Sequence, residues 1–328
     1  MLNIAIIGAG ISGLTAANIL KDDAKVTVFE KSRGVGGRMA TRRAEPFCFD
    51  HGAQFFKART EAFQSFIKPM LDQGIIQIWN ARFAEFKENK LINKITLDNE
   101  YHYVGVPGMN AIAKYLARDI DVRVRTKIIA IQNHGKWHLI NELGECVGIF
   151  DWVISTAPAQ QTAELMPESF NNHSYITSAK MVACYSLMLG FHQPLPLDFD
   201  MALIQESDIS WISVNSSKPG RNGVFSILVH STNNWAELHS NDDREKVMEY
   251  LCHETNRIIG HDVNSAIHKD LHHWRYANIN KQSLQKILID KDQKLAACGD
   301  WCIQGSVESA FANSLTVANS ILKIIKLN

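Results

Sequence analysis

Leu2-Asn3-Ile4-Ala5-Ile6-Ile7-Gly8-Ala9-Gly10-Ile11-Ser12-Gly13-Leu14 runs from an apolar segment into an Ala- and Leu-rich one through three glycines spaced G-x-G-x-x-G. The run before Gly8 predicts a buried strand and residues 11–20 a helix. Residues 25–29, Lys-Val-Thr-Val-Phe, are β-branched and predict a second strand. In that βαβ context each glycine has a task. Gly8 makes the tight turn, Gly10 lets a pyrophosphate approach the backbone, and Gly13 lets the helix pack close to the strand. Ile11 and Ser12 open the helix, where amides and dipole favour phosphate. Glu30 ends the second strand, 17 positions after Gly13. A carboxylate there accepts hydrogen bonds from a ribose diol and repels a 2′-phosphate, so the site is not expected to hold NADP. The fold class that follows is α/β, with a Rossmann-type dinucleotide-binding domain.

The next segment selects the dinucleotide. Lys31-Ser32-Arg33-Gly34-Val35-Gly36-Gly37-Arg38-Met39 is a second glycine-rich loop. Lys31, Gly37, Arg38 and Met39 are candidates to wrap the far side of a long dinucleotide. The Arg38 guanidinium would sit near pyrophosphate or flavin, or else Arg38 is a solvated turn residue. A plain NAD dehydrogenase has no need of such a loop, so the expected cofactor is FAD. A third element, Cys298-Gly299-Asp300-Trp301, feeds a last helix that begins near residues 305–308. Asp300 is expected to end a strand and accept hydrogen bonds from a ribitol chain, or to be a simple helix-entry carboxylate. Gly305 and Val307 would aim the helix N-terminus at the flavin pyrimidine ring, where hydride arrival leaves negative charge.

Working outward, residues 60–73 and 109–117 predict helices, and residues 127–131, 136–140 and 152–156 predict strands. Strands recur at 180–189 and 223–230, a helix at 242–259, and a short buried strand at 295–298 before the final helix. Two domains discontinuous in sequence are expected. The FAD-binding domain takes 1–58, 100–160 and 285–328. A sheet-containing substrate domain takes 59–99 and 161–284.

Lys+Arg and Asp+Glu both count 34, and this zero balance argues against nucleic acid or a polybasic membrane contact as partner. The six cysteines include no C-x-x-C pair, which removes a zinc ribbon or thioredoxin-like site. They read as reduced thiols of a cytoplasmic protein. The apolar N-terminus lacks a basic flank, so it is not expected to be a signal peptide, and no run has the length of a membrane span. No paired-carboxylate or H-E-x-x-H array is present, so no metal is expected.

These elements in this order resemble the amine-oxidase-like flavoproteins, and within them the renalase group. The resemblance covers essentially the whole chain. Its anchors are GAGISGL at Gly8, EKSRGVGGRMATRR at Glu30, FDHGAQFF at Phe49, VGVPGMNAIAKYLA at Val104, STAP at Ser155, HWRYA at His273 and CGDWC at Cys298. The resemblance implies noncovalent FAD and hydride transfer to flavin. It implies as substrate the dihydropyridine isomers of NAD(P)H, with O2 as acceptor giving H2O2. No cysteine occupies the motif by which some monoamine oxidases tether flavin, which also points to a free cofactor. The resemblance further brings His51, Gly52, Ala53 and Gln54 close to the flavin and makes His230 a site residue, against a hydrogen-bonded structural histidine. One departure stands out. Where the group reads Gly-Gly-Arg-Val-Glu, this chain reads Gly305-Ser306-Val307-Glu308, without the arginine. Trp235, Trp274, Tyr276 and Trp301 are the aromatic candidates for a flat slot, and each suits a core equally. Two other readings stay open: an FAD-dependent amine oxidase or desaturase, and a non-enzymatic FAD-binding protein.

Overall fold

The computed structural model describes residues 1–96, 101–221, 223–280 and 287–327. The opening segment folds as its pattern dictates: β1 is Leu2–Ile7, α1 is Ile11–Leu20 and β2 is Ala24–Phe29. β1 pairs in parallel with β2 and, on its other side, with the strand Trp152–Ser155. That strand pairs in parallel with Leu295–Ala297, and Leu288–Asp290 closes the edge antiparallel. With Asp121–Arg123 beyond β2 the sheet has six strands. Ile4, Ala5 and Ile6 are fully buried, as expected of a strand covered on both faces. α1 packs against the C-terminal helix Val307–Leu327, where Ser12 Oγ donates to the Ala310 carbonyl at 3.3 Å. A three-stranded antiparallel meander, Ile128–Asn133, Trp137–Asn141 and Cys146–Phe150, completes this unit.

The chain separates into two compact units, 1–37 with 112–181 and 278–328, and 38–111 with 182–277. Both units are discontinuous in sequence. Residues 38–58 and 100–111 pack with the second unit, and 161–181 with the first. The physical reason is visible in the hairpin Arg42–Ala44/Phe47–Phe49. Its Phe47 and Phe49 side chains are buried against Met188 and Leu228 of the second unit's sheet.

That second sheet has seven strands in the order His268–Asn278, Val182–Gly190, Ser226–Ser231, Ile209–Val214, Met201–Gln205, Arg82–Lys87, Lys90–Thr96. Alternation gives it two faces. Leu187, Ile212 and Val229 face a core completed by Val247 and Leu251 of the helix Arg244–Ile259. The opposite face carries Met188, Leu228 and, in register across three strands, Ser186, His230 and Trp211. Among the described residues no helix is long and apolar enough to cross a membrane.

Candidate active site

In the first unit the parallel strands deliver Gly8, Glu30, Thr156 and Cys298 to one edge, at their C-terminal ends, where open α/β sheets bind ligands. The glycines divide by what holds them. Gly8 has φ +111°, and a Cβ there would stand 2.7 Å from Thr156 Oγ1. A Cβ on Gly13 would stand 1.9 Å from the Gly8 carbonyl oxygen. Gly10 differs: its backbone is extended, at φ −79°, and an added Cβ meets no protein atom within 4 Å. Neither the backbone nor any neighbouring protein atom demands glycine there, and the space beside it is open. No side chain caps α1, which leaves the amides of its first turn turned outward. An uncapped helix start beside an open glycine fits a pyrophosphate, so the segment fits a dinucleotide.

Glu30 is 6% exposed. Its carboxylate accepts the Ala9 amide at 2.9 Å and the Ser32 amide at 2.8 Å, which ties the first glycine loop to the second. The Gly36 amide donates to the Ala9 carbonyl at 2.9 Å, a second tie between them. Each carboxylate oxygen keeps a lone pair for a ribose hydroxyl. Lys31 turns away and donates to Gln161 Oε1 at 3.2 Å on the surface.

Asp300 does not end a strand. The strand stops at Ala297, Gly299 donates to Asn313 Oδ1 at 3.0 Å, and Asp300, 5% exposed, begins a short turn of helix. Trp301 is a correction. It is fully buried and its Nε1 donates to the Ala157 carbonyl at 3.1 Å, so the ring is core and offers no face to a ligand. Val307 opens the last helix as expected, and Ser306 serves as its cap, accepting the Ser309 amide at 3.1 Å. Gly305 is exposed, and a Cβ on it would collide with Asn278 Oδ1.

The second unit assembles most of the other candidates on the polar face of its sheet. A Cβ on Gly52 would stand 1.9 Å from the Arg38 carbonyl oxygen, and that oxygen accepts the Ala53 amide at 2.9 Å. Loop 51–54 is therefore laid directly on Arg38, whose guanidinium donates to the Ala277 carbonyl at 3.1 Å. Met39 beside it is buried. The His51 carbonyl accepts Trp274 Nε1 at 2.8 Å and faces His230 Nε2 at 3.4 Å. The His51 ring stacks on Trp274 with centroids 5.0 Å apart, and His272 meets Trp274 edge-on at 4.2 Å. Alternation puts Tyr276 on the same face of its strand as Trp274.

Trp235 is the second correction. It is buried on the opposite face, stacked on Tyr250 at 5.1 Å and on His239 at 4.4 Å, within the apolar core. The expected slot of Trp235, Trp274 and Tyr276 is not formed, because a sheet lies between Trp235 and the other two.

Electrostatics on the polar face are set by groups that sequence reasoning missed. Asp50 is fully buried and accepts Thr41 Oγ1 at 2.7 Å, the Met109 amide at 3.0 Å, Lys218 Nζ at 3.4 Å and Arg221. Burial alone would raise its pKa, but the two cations outweigh burial and hold the carboxyl below its usual range. Burial drives Lys218 down to about 8. Burial, then the His272 and Arg42 charges, takes His51 to about 3. Burial takes His230 to about 4, and burial with the adjacent Arg42 takes His272 to about 4. All three imidazoles are neutral at pH 7. Arg42 donates to His272 Nδ1 at 3.1 Å and pairs with Asp270, which also pairs with Arg244. Each carboxylate here, Asp50 and Asp270, is thus held between two cations. No periodicity marks Lys218, which lies 168 residues from Asp50 in sequence. Its only sequence signal is the loop Asn215-Ser216-Ser217-Lys218-Pro219-Gly220-Arg221, whose two cations are too few to stand out as a basic cluster.

The first unit thus presents a dinucleotide-sized cradle on a Rossmann-type sheet, and the second a sheet with an aromatic, polar face. Residues 6–70 match the NAD(P)-binding Rossmann-like domain and residues 61–322 match the flavin containing amine oxidoreductase family. The chain belongs to that family. Among curated proteins it is similar to 4,4′-diapophytoene desaturase (4,4′-diaponeurosporene-forming) of Staphylococcus aureus (strain Newman), at 48% identity over 52 residues. That match takes in 16% of this chain and spans only 10% of the desaturase's length. Among solved structures, a candidate protoporphyrinogen oxidase from Exiguobacterium sp. 255-15 superposes with TM-score 0.78 at 12% identity, over 98% of both chains. Wild-type putrescine oxidase bound to putrescine superposes with TM-score 0.73 at 11% identity, over 98% of this chain and 99% of that one. At such identities the likeness is one of fold.

Proposed function

We propose that this flavoprotein is a renalase-like oxidase that takes hydride from dihydropyridine isomers of NAD(P)H. The observation that carries the reading is the neutral, aromatic group around Trp274. His51, His272 and His230 are uncharged at pH 7, and Asp50 and Asp270 are each neutralised by two cations. An ammonium substrate finds no open carboxylate in that group, whereas a flat ring can stack on an indole held by a carbonyl and edged by imidazoles. Loss of hydride turns a dihydropyridine into an aromatic cation, so the chemistry asks the protein for no nucleophile or strong base. Its task is to hold the ring in a near-attack pose and exclude water. Trp274 supplies the face and His51 anchors it. Gly10, Glu30 and the start of α1 hold the dinucleotide of the cofactor; Arg38 and loop 51–54 are assigned to the cofactor by the family resemblance. Bound FAD supplies the hydride acceptor and the reaction with O2 that gives H2O2. The cofactor is held noncovalently and the substrate is a free small molecule.

Anaerobic stopped-flow mixing tests the reading. The dihydropyridine isomers are expected to bleach the flavin absorbance rapidly and simple monoamines to leave it unchanged. Reoxidation by air then yields H2O2, and acid precipitation releases intact FAD into the supernatant. Bleaching by a primary amine at catalytic rate, with the isomers inert, would replace this reading with amine oxidation. A flavin inert to every donor would point to a non-enzymatic FAD protein.

A further inference from the structure

Lys218 is an ammonium with no exposure, and every proton it carries has a taker. Its Nζ donates to Gln54 Oε1 at 3.0 Å, to Asn215 Oδ1 at 3.2 Å and to Asp50 Oδ2 at 3.4 Å, and it lies 5.4 Å from the centre of the Trp79 ring. Gln54 is the link that matters. Its Oε1 also accepts Ser213 Oγ at 2.7 Å, so that oxygen is committed to two donors. The amide nitrogen is thereby turned the other way and donates to the Asp50 and Gly52 carbonyls within its own loop. That orientation shapes the backbone that puts the Ala53 amide on the Arg38 carbonyl. We propose that Lys218 is the positioning residue of loop 51–54, and that the loop keeps its shape only while Lys218 carries its proton. The relevance of this loop to the cofactor rests on the reading given above.

The charges around Lys218 come from every side of the cluster. Asp50 holds the proton on; Arg221, paired to the same carboxylate, and burial work to remove it. His230 is neutral and adds no charge at neutral pH. Burial prevails and leaves Lys218 titrating at about 8, close enough to neutrality for the lock to open in mild alkali. Neutral lysine keeps only two N–H groups for three acceptors and loses its charge, so its hold on Gln54 Oε1 weakens while Ser213 Oγ still donates there.

Hydrogen exchange of the Ala53 amide reads the loop directly, corrected for intrinsic rate and followed in the wild type, Lys218→Met and Lys218→Arg. In the wild type, protection should fall at least tenfold between pH 7 and pH 9.5. Lys218→Met should lack that protection at both pH values. Lys218→Arg, which does not titrate in this range, should keep it at both. An FAD dissociation constant measured on the same samples should rise at least tenfold wherever protection is lost. Unchanged protection in Lys218→Met, or an alkaline loss that survives in Lys218→Arg, overturns the proposal. If Lys218→Met does not fold, the pH series of the wild type against Lys218→Arg decides alone. Loss of protection with no change in FAD affinity would keep the positioning role and instead remove loop 51–54 from the cofactor site.

Discussion

Burial keeps the His230 imidazole neutral, and that neutrality has a measurable consequence in acid. Its pKa lies at about 4 in the folded chain against an ordinary 6.5. Below pH 6.5 the unfolded state binds a proton that the folded state refuses, so stability is full above 6.5 and is lost as pH falls toward 4. Between pH 7.5 and 4.5 this single group accounts for about 2–3 kcal/mol. Urea unfolding of the wild type and of His230→Gln at the two pH values should show their difference shift by that amount in favour of the glutamine. A difference that does not move with pH would show that His230 is not held neutral by burial. At this scale the sequence was legible where a residue acts on its neighbours in the chain: the glycines of the fingerprint, Glu30 and Gly52 all sit at strand ends, loops or the first turn of a helix. It was illegible where partners are distant. Lys218 meets Asp50, and Arg42 meets Asp270, only after the second sheet has formed. Trp301 and Trp235 misled because a tryptophan's outward or inward facing is decided by the sheet or helix it packs on, not by its local pattern.

Gly10, at the start of α1, and Gly13, inside it, give a prediction at the scale of the element. Gly13→Ala drives a methyl to within 1.9 Å of the Gly8 carbonyl oxygen, so α1 must lift off its strand. It should cost about 1–3 kcal/mol and abolish FAD binding. Gly10→Ala places its methyl in open space at an extended backbone, so the apoprotein should melt within about 1 kcal/mol of wild type. FAD affinity should nevertheless fall by about tenfold or more, roughly 1.4 kcal/mol, because the ligand needs that space. Thermal melting of the apoproteins beside FAD titration separates the two, and equal affinity for wild type and Gly10→Ala would take the pyrophosphate away from Gly10. The β1–α1–β2 unit was readable to within a residue because buried parallel strands and an Ala-rich helix announce themselves by composition. The strand His268–Asn278, which carries Trp274, was not. His-Lys-Asp-Leu-His-His-Trp-Arg-Tyr-Ala-Asn is half-buried along most of its length and polar on both faces, so it has no apolar alternation to detect.

At the scale of the molecule, each unit is assembled from segments far apart in sequence, and the first depends on residues 278–328. Those residues supply Leu295–Ala297, which pairs with Trp152–Ser155, and the helix that covers α1. Deleting them should leave a chain that retains no FAD through gel filtration and shows no cooperative melt for the first unit. Native FAD affinity in the truncated chain would show that the opening βαβ segment suffices alone. The same interleaving has a consequence for biosynthesis. A ribosome adding about 5–20 residues per second makes β1 roughly 15–60 s before Leu295–Ala297 emerges. Throughout that interval the apolar flank of α1 that Val307–Leu327 will cover has no partner, and a nascent chain in that state is a natural client for a chaperone.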